Sequence, residues 1–186
     1  MLNRHDISEA IRTLVGNDVD YMDIVWSIQE FNLKFEVKPN PSLYANLVVE
    51  EVNEFIEELT LNGYSENLLK ELVDILYVLE GLLAANTEEI LNIDSHLMVK
   101  LEEAIDLIHD VIVPITELYF EDDDIMEGFI EVHRSNMSKL GDDGKPVRRE
   151  SDNKVLKGPN YSPADLSDII IPKETMVKAL KVTGYE

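Results

Sequence analysis

The chain has 186 residues, 45% of them hydrophobic and 29% charged, which is enough for one globular domain with a core that needs no covalent staples. It contains no cysteine, so disulfides, thiolate metal sites and thiol nucleophiles are excluded. A net charge of −22, from 38 acidic against 16 basic residues, repels nucleic acid and anionic membrane, and neither is expected as a partner.

The N-terminus, Met1 to Asp6, lacks a basic stretch followed by an apolar core, so it does not read as a signal peptide. No apolar run approaches the roughly 20 residues that cross a bilayer. A cytoplasmic protein is the expectation. Seven of the basic residues gather between Arg134 and Lys157, the one region able to offset the acidic surface for an incoming anion.

In chain order, a short helix is expected over Ile7–Val15, started by Asp6 or Ser8. A second runs over Asp20–Glu36, with Tyr21, Ile24, Val25, Ile28, Phe31 and Phe35 at helical spacing, until Lys38-Pro39-Asn40-Pro41 breaks it. Pro41 or Ser42 opens a third helix that Asn62-Gly63 closes near Leu61. Ser65 caps a fourth, reaching about Ala85. Asp94 or Ser95 opens another, carrying Leu97, Leu101, Ile105, Ile108 and Ile112 on one stripe, which Pro114 kinks or ends. Asp122–Asp124 cap a helix over Ile125–Leu140 that Gly141 terminates. Turn chemistry follows at Asp142–Pro146, then two short strands, Val147–Glu150 and Lys154–Lys157, and a last short helix over Thr175–Lys181. The expected fold is all-α: an antiparallel helical bundle in a single domain, 1–186, with a helical core over about 19–140 and a small C-terminal β-hairpin within an extension over 141–186.

The third and fourth helices carry the chemistry. Glu50, Glu51 and Glu54 read E-E-x-x-E; Glu71 and Asp74 follow as E-x-x-D after the Asn62-Gly63 stop. Each segment sets carboxylates three apart on one helical face, and a short turn brings the faces together. The first cluster, with Glu57 and Glu58 beside it and Val48, Val52 and Phe55 opposite, is also what any amphipathic surface helix presents to water. The second is different. Leu68, Leu69, Leu72, Val73, Ile75, Leu76, Val78 and Leu79 leave almost no polar stripe, so Glu71 and Asp74 are expected in a largely buried helix. Carboxylates there need a positive partner or give up their charge. Lys70, the nearby cation, projects about 100° away from Glu71. A hard cation shared with the third helix, Mg²⁺ or alternatively Mn²⁺, meets the need; basic residues from elsewhere in the fold are the other solution.

Glu51-Val52-Asn53-Glu54 and Glu71-Leu72-Val73-Asp74 resemble the signature of the all-α nucleoside triphosphate pyrophosphohydrolases, the MazG-like family that includes dimeric dUTPases and phosphoribosyl-ATP pyrophosphohydrolases. Ile75-Leu76-Tyr77, the stretch Glu131 to Leu140, Asp143–Pro146 and Lys154–Tyr161 extend the likeness, which covers roughly residues 25–85 and 125–165. Residues 86–124 exceed the family pattern and are expected to be an inserted helical segment whose acids, Glu102, Glu103, Asp106 and Asp110, form a solvated stripe.

The resemblance implies cleavage of a nucleoside triphosphate substrate between its α- and β-phosphates. It implies Glu51, Glu54, Glu71 and Asp74 as Mg²⁺ ligands and Glu50 as the base that takes a proton from the attacking water. It also implies Asn136 and Lys139 as substrate contacts, with Lys34, Phe35 and Tyr77 as weaker ones and core packing the alternative for both rings. His133 reads as an ordinary surface or core histidine. Lys145, Lys154 and Lys157 guide the triphosphate or balance local acids. Family members assemble as homodimers or dimers of dimers, and the same is expected here. Phosphoribosyl-ATP as substrate, or a non-catalytic acidic helical module, are the competing readings.

Overall fold

The computed structural model describes residues 2–16, 21–38, 40–84, 87–149 and 155–170. It is an all-helical bundle. α1 (Arg4–Val15) begins earlier than expected, because Asn3 accepts from the backbone of the first turn and Asp6 answers to the Asn3 amide, a reciprocal capping box. α2 spans Met22–Lys34.

α3 (Pro41–Leu61) starts where the sequence places it, with Pro41 in the first turn and the Asn40 side chain accepting from the Leu43 amide at 3.1 Å. It stops at Asn62, and Gly63 takes the left-handed conformation (φ +64) that lets the chain turn back. Ser65 then caps α4 (Glu66–Leu83) through the Leu68 amide. The turn between them is only four residues long, so α3 and α4 lie side by side as an antiparallel hairpin.

The described part of the expected insertion, 87–124, is integrated into the body of the protein. A short α5 (Thr87–Leu91), absent from the sequence expectation, precedes α6 (Ser95–Leu107), which Asp94 caps. α6 runs through a π-helical turn, Ile108–Ile112, directly into α7 (Val113–Tyr119). The wide turn ends two residues before Pro114. Proline has no N–H to give the ladder and its ring crowds the preceding carbonyl, so the helix loosens at that point and continues. Leu101, Ala104, Ile105, Ile108 and Ile112 enter the same buried cluster as the residues of α1, α3 and α4. They make one core; the insertion is a load-sharing layer against α3 and α1.

α8 (Asp122–Met137) is capped by Glu121 and reciprocally by Asp124, and ends three residues sooner than expected, at Met137. The expected hairpin is not formed: among the described residues there are only the isolated bridges Leu140↔Pro146 and Arg148↔Val155, with no strand. Tight turns at Asp143–Gly144 and the packing of the following loop on α8 leave too few paired residues for a ladder. The helix expected over Thr175–Lys181 lies outside the described residues. No described helix is long and apolar enough to cross a membrane.

Candidate metal centre

The α3–α4 hairpin brings Glu51, Glu71 and Asp74 together: one carboxylate oxygen from each lies within 4.8 Å of the others. Val48, Val52 and Phe55 pin the opposite face of α3 in the core, while Leu72, Val73, Ile75 and Leu76 are fully buried around α4. The carboxylates are therefore held at the seam, half-buried, by helices that cannot rotate without exposing those residues. Three hard oxygen donors at this separation are able to chelate a divalent cation.

The electrostatics show a cluster short of positive charge. Burial pushes the Glu51 carboxyl up to about 8, and the charges of Asp74, Glu54 and Glu71 push the same way. Burial likewise raises Glu71, against the opposing pull of Lys70. Glu71 Oε2 is buried and has no hydrogen-bond partner among the described residues. A buried carboxylate oxygen with nothing to bind is costly, and a cation at the seam would satisfy it.

Lys70 is where the sequence reading needs correction. Its side chain does not point away: Nζ lies 2.6 Å from Asp74 Oδ2 and 3.1 Å from Glu71 Oε1. Helical projection fixes where the Cβ starts, but the four-carbon stem of lysine reaches back across that angle to an acid one turn on. Burial works against its charge, yet Asp74 and Glu71 outweigh burial and hold the ammonium more firmly protonated than usual. With Glu51 ionised, one ammonium faces three carboxylates and leaves the cluster under-neutralised.

Two of the expected site acids stand outside the triad. Glu54 is exposed one turn beyond Glu51 and acts on the cluster through its charge, raising both Glu51 and Glu71. Glu50 is exposed beside Glu51.

The substrate-side residues fall into two groups. α8 and the turn after it approach the triad. Lys139 Nζ donates to Asn136 Oδ1 at 2.6 Å, and Asn136 acts on the Tyr77 phenol, holding its pKa down against burial. Burial pulls the Lys139 ammonium down, opposed by the charge of Asp74 across the seam. Burial also raises the Tyr77 phenol far above its ordinary value, so it serves as a neutral hydrogen-bonding group.

The loop from Leu156 to Ile170 is strapped along α8. The Ser162 amide donates to Ser138 Oγ, Arg134 to the Pro163 carbonyl, and the Asp165 amide to Glu131, which also takes a bidentate pair from Arg134. Gly158 makes the close pass possible, since a Cβ there would meet the Lys139 and Leu140 carbonyls at 2.7 Å. This sets Lys157, stacked over the Tyr161 ring at 4.4 Å, next to Lys139. Lys154 lies outside the described residues.

The second group sits behind Tyr77. Its hydroxyl is 2.9 Å from His133 Nδ1, His133 Nε2 is 3.3 Å from Glu30 Oε2, and Lys34 Nζ is 2.7 Å from Glu30 Oε1. With Nε2 carrying the proton toward Glu30, Nδ1 accepts from the phenol, and one continuous chain runs from Lys34 to Tyr77. His133 thus orients Tyr77, a role sequence reasoning missed: Glu30 and His133 are 103 positions apart and no spacing rule links them. Phe35 is fully buried and stacked on Phe31 with ring centroids 4.2 Å apart, so it belongs to the core and offers no face to a ligand. No protein-family model matches the chain, and neither a curated protein nor a solved structure matches it.

Proposed function

We propose that the protein is a divalent-cation-dependent nucleotide pyrophosphohydrolase, a MazG-like enzyme that splits a (deoxy)nucleoside triphosphate into nucleoside monophosphate and pyrophosphate. The observation that carries this reading is the convergence of Glu51, Glu71 and Asp74 within 4.8 Å at the α3–α4 seam, with Glu71 Oε2 left unpartnered. Lys139, Asn136 and Lys157 on the facing side add what a bare metal site lacks, donors for a polyanion.

In this reading Glu51, Glu71 and Asp74 hold Mg²⁺, with Glu54 as an outer or further ligand. The bound ion supplies neutralisation of the phosphate oxygens and a more acidic water. Lys139 and Lys157 hold the phosphate chain, while Asn136 and Tyr77, fixed by His133, meet the nucleoside side. Glu50, exposed and beside the triad, takes the proton as water adds to phosphorus and the bridging oxygen leaves with its phosphate. The active form is a homo-oligomer, as in the family it resembles.

The test is pyrophosphate release from each common NTP and dNTP with Mg²⁺, wild type beside Glu71→Gln. Release from at least one nucleotide is expected, with the variant slower by on the order of 100-fold. No release from any nucleotide, or equal release by both proteins, refutes the assignment.

A further inference from the structure

Lys70 has no part in that mechanism, yet it is the group that touches the acidic centre most closely. It stands 2.6 Å from Asp74 and 3.1 Å from Glu71, on the two α4 acids that belong to the triad. We propose that Lys70 is the resident counter-ion of the acidic centre: a divalent ion displaces its ammonium, which swings outward to bind the anion the ion brings with it. This rests on reading the triad as a metal site.

Three observations carry it. The contact is incomplete, because the ammonium engages one oxygen of Glu71 and leaves the other, buried, without a partner. A single positive charge also faces three acids, where a divalent ion would bring twice the charge to the same oxygens. The two cations compete, since an ion at the ~2.0–2.1 Å ligand distance of Mg²⁺ repels a nearby ammonium and draws on the same carboxylate charge that holds it.

Displacement is inexpensive. The Lys70 side chain is 43% exposed, so its ion pairs are weak and its route to solvent is open. Even from its place on the triad its charge reaches Lys139, which also feels Lys157. The released ammonium would complete a rim of three lysines around a polyphosphate, so the same residue weakens metal binding when the site is bare and strengthens anion binding once it is loaded.

The test is a Mn²⁺ titration of the full chain followed by electron paramagnetic resonance, for wild type, Lys70→Gln and Lys70→Arg, alone and then with inorganic tripolyphosphate. Lys70→Gln is expected to bind Mn²⁺ about tenfold more tightly than wild type, as the competing ion pairs are gone. Its Mn²⁺-loaded form should take up tripolyphosphate about tenfold more weakly, while Lys70→Arg, which keeps the charge, stays near wild type in both.

Unchanged or weaker Mn²⁺ affinity in Lys70→Gln overturns the displacement, and unchanged tripolyphosphate affinity overturns the outward role. No Mn²⁺ binding by any of the three removes the metal site itself, and this proposal with it. Should Lys70→Gln fail to fold, nitrogen-15 spectra of the wild-type lysine ammonium groups decide. The Lys70 signal must shift and exchange faster with water when Mg²⁺ is added, and a signal indifferent to Mg²⁺ refutes displacement.

Discussion

The two halves of α4 each carry an acid with a buried oxygen that has no partner among the described residues, Glu71 near the start and Glu80 near the end. Burial raises both; Glu80 reaches about 7, opposed by the charge of Arg4. Burial and a raised pKa therefore do not distinguish them. Company does. Glu71 has Asp74 a turn along and Glu51 across the seam, three ligand groups inside 4.8 Å, whereas Glu80 belongs to no such group among the described residues. A lone buried acid relieves its cost by holding a proton; converging acids also repel one another once ionised, and a shared cation relieves the burial cost and the repulsion together. The first half of α4 thus contributes to a group of acids able to chelate a divalent cation, and the second carries a single buried acid.

The largest effect that separates the halves is on metal affinity. Asp74→Asn is expected to weaken Mn²⁺ binding on the order of 100-fold or more, given that even outer-sphere changes at metal sites cost 10–100-fold. Glu80→Gln should leave it at the wild-type value. Calorimetric titration of both variants checks this, and equal losses would erase the distinction drawn here.

The reverse variant is Gly81→Ala. A Cβ at residue 81 would lie 2.1 Å from the Tyr44 ring, which packs directly on this part of α4. Overpacking there should cost about 1–3 kcal/mol of stability in denaturant unfolding. Mn²⁺ affinity measured on the folded protein should not change, because the strain falls two turns from Asp74.

What the sequence made legible follows from the range of the forces involved. α3, its Asn62-Gly63 stop and the Ser65 start of α4 are local matters of capping and periodicity, and the structure has them where they were expected. The convergence of Glu51 with Glu71 and Asp74 followed from two helices and one short turn. Lys70 was misplaced because a helical wheel locates backbones and says nothing about where a long stem bends. The Tyr77–His133–Glu30 chain was invisible because it is closed by α2, α4 and α8 packing together, a tertiary event with no local trace. The two proposed strands failed for a related reason. Turn residues between two short segments are compatible with a hairpin, and the Leu156 amide does donate to the Val147 carbonyl, but among the described residues the pairing stops at the single bridge Arg148↔Val155, and from Ser162 on the loop is bonded to α8 instead.

The smallest effect is the most discriminating, because it sets the two halves of α4 against each other in one experiment. Glu51 and Glu80 both have folded-state pKa values raised above the ordinary 4.5, to about 8 and about 7. For such acids the folded state holds the proton more tightly than the unfolded chain. Their contribution to stability is complete below 4.5 and is lost as pH rises through the folded value. The melting temperature without divalent ions should therefore fall between those limits. Glu80→Gln should remove the part of the fall that ends near pH 7, and Glu51→Gln the part that extends to about 8. If the triad is the site of Mg²⁺, the added ion should restore stability at the alkaline end in wild type and in Glu80→Gln, as it would bind the ionised triad and not Glu80. In Glu51→Gln that recovery should shrink. If Mg²⁺ raised the melting temperature equally in all three proteins, its binding would owe nothing to the seam between α3 and α4.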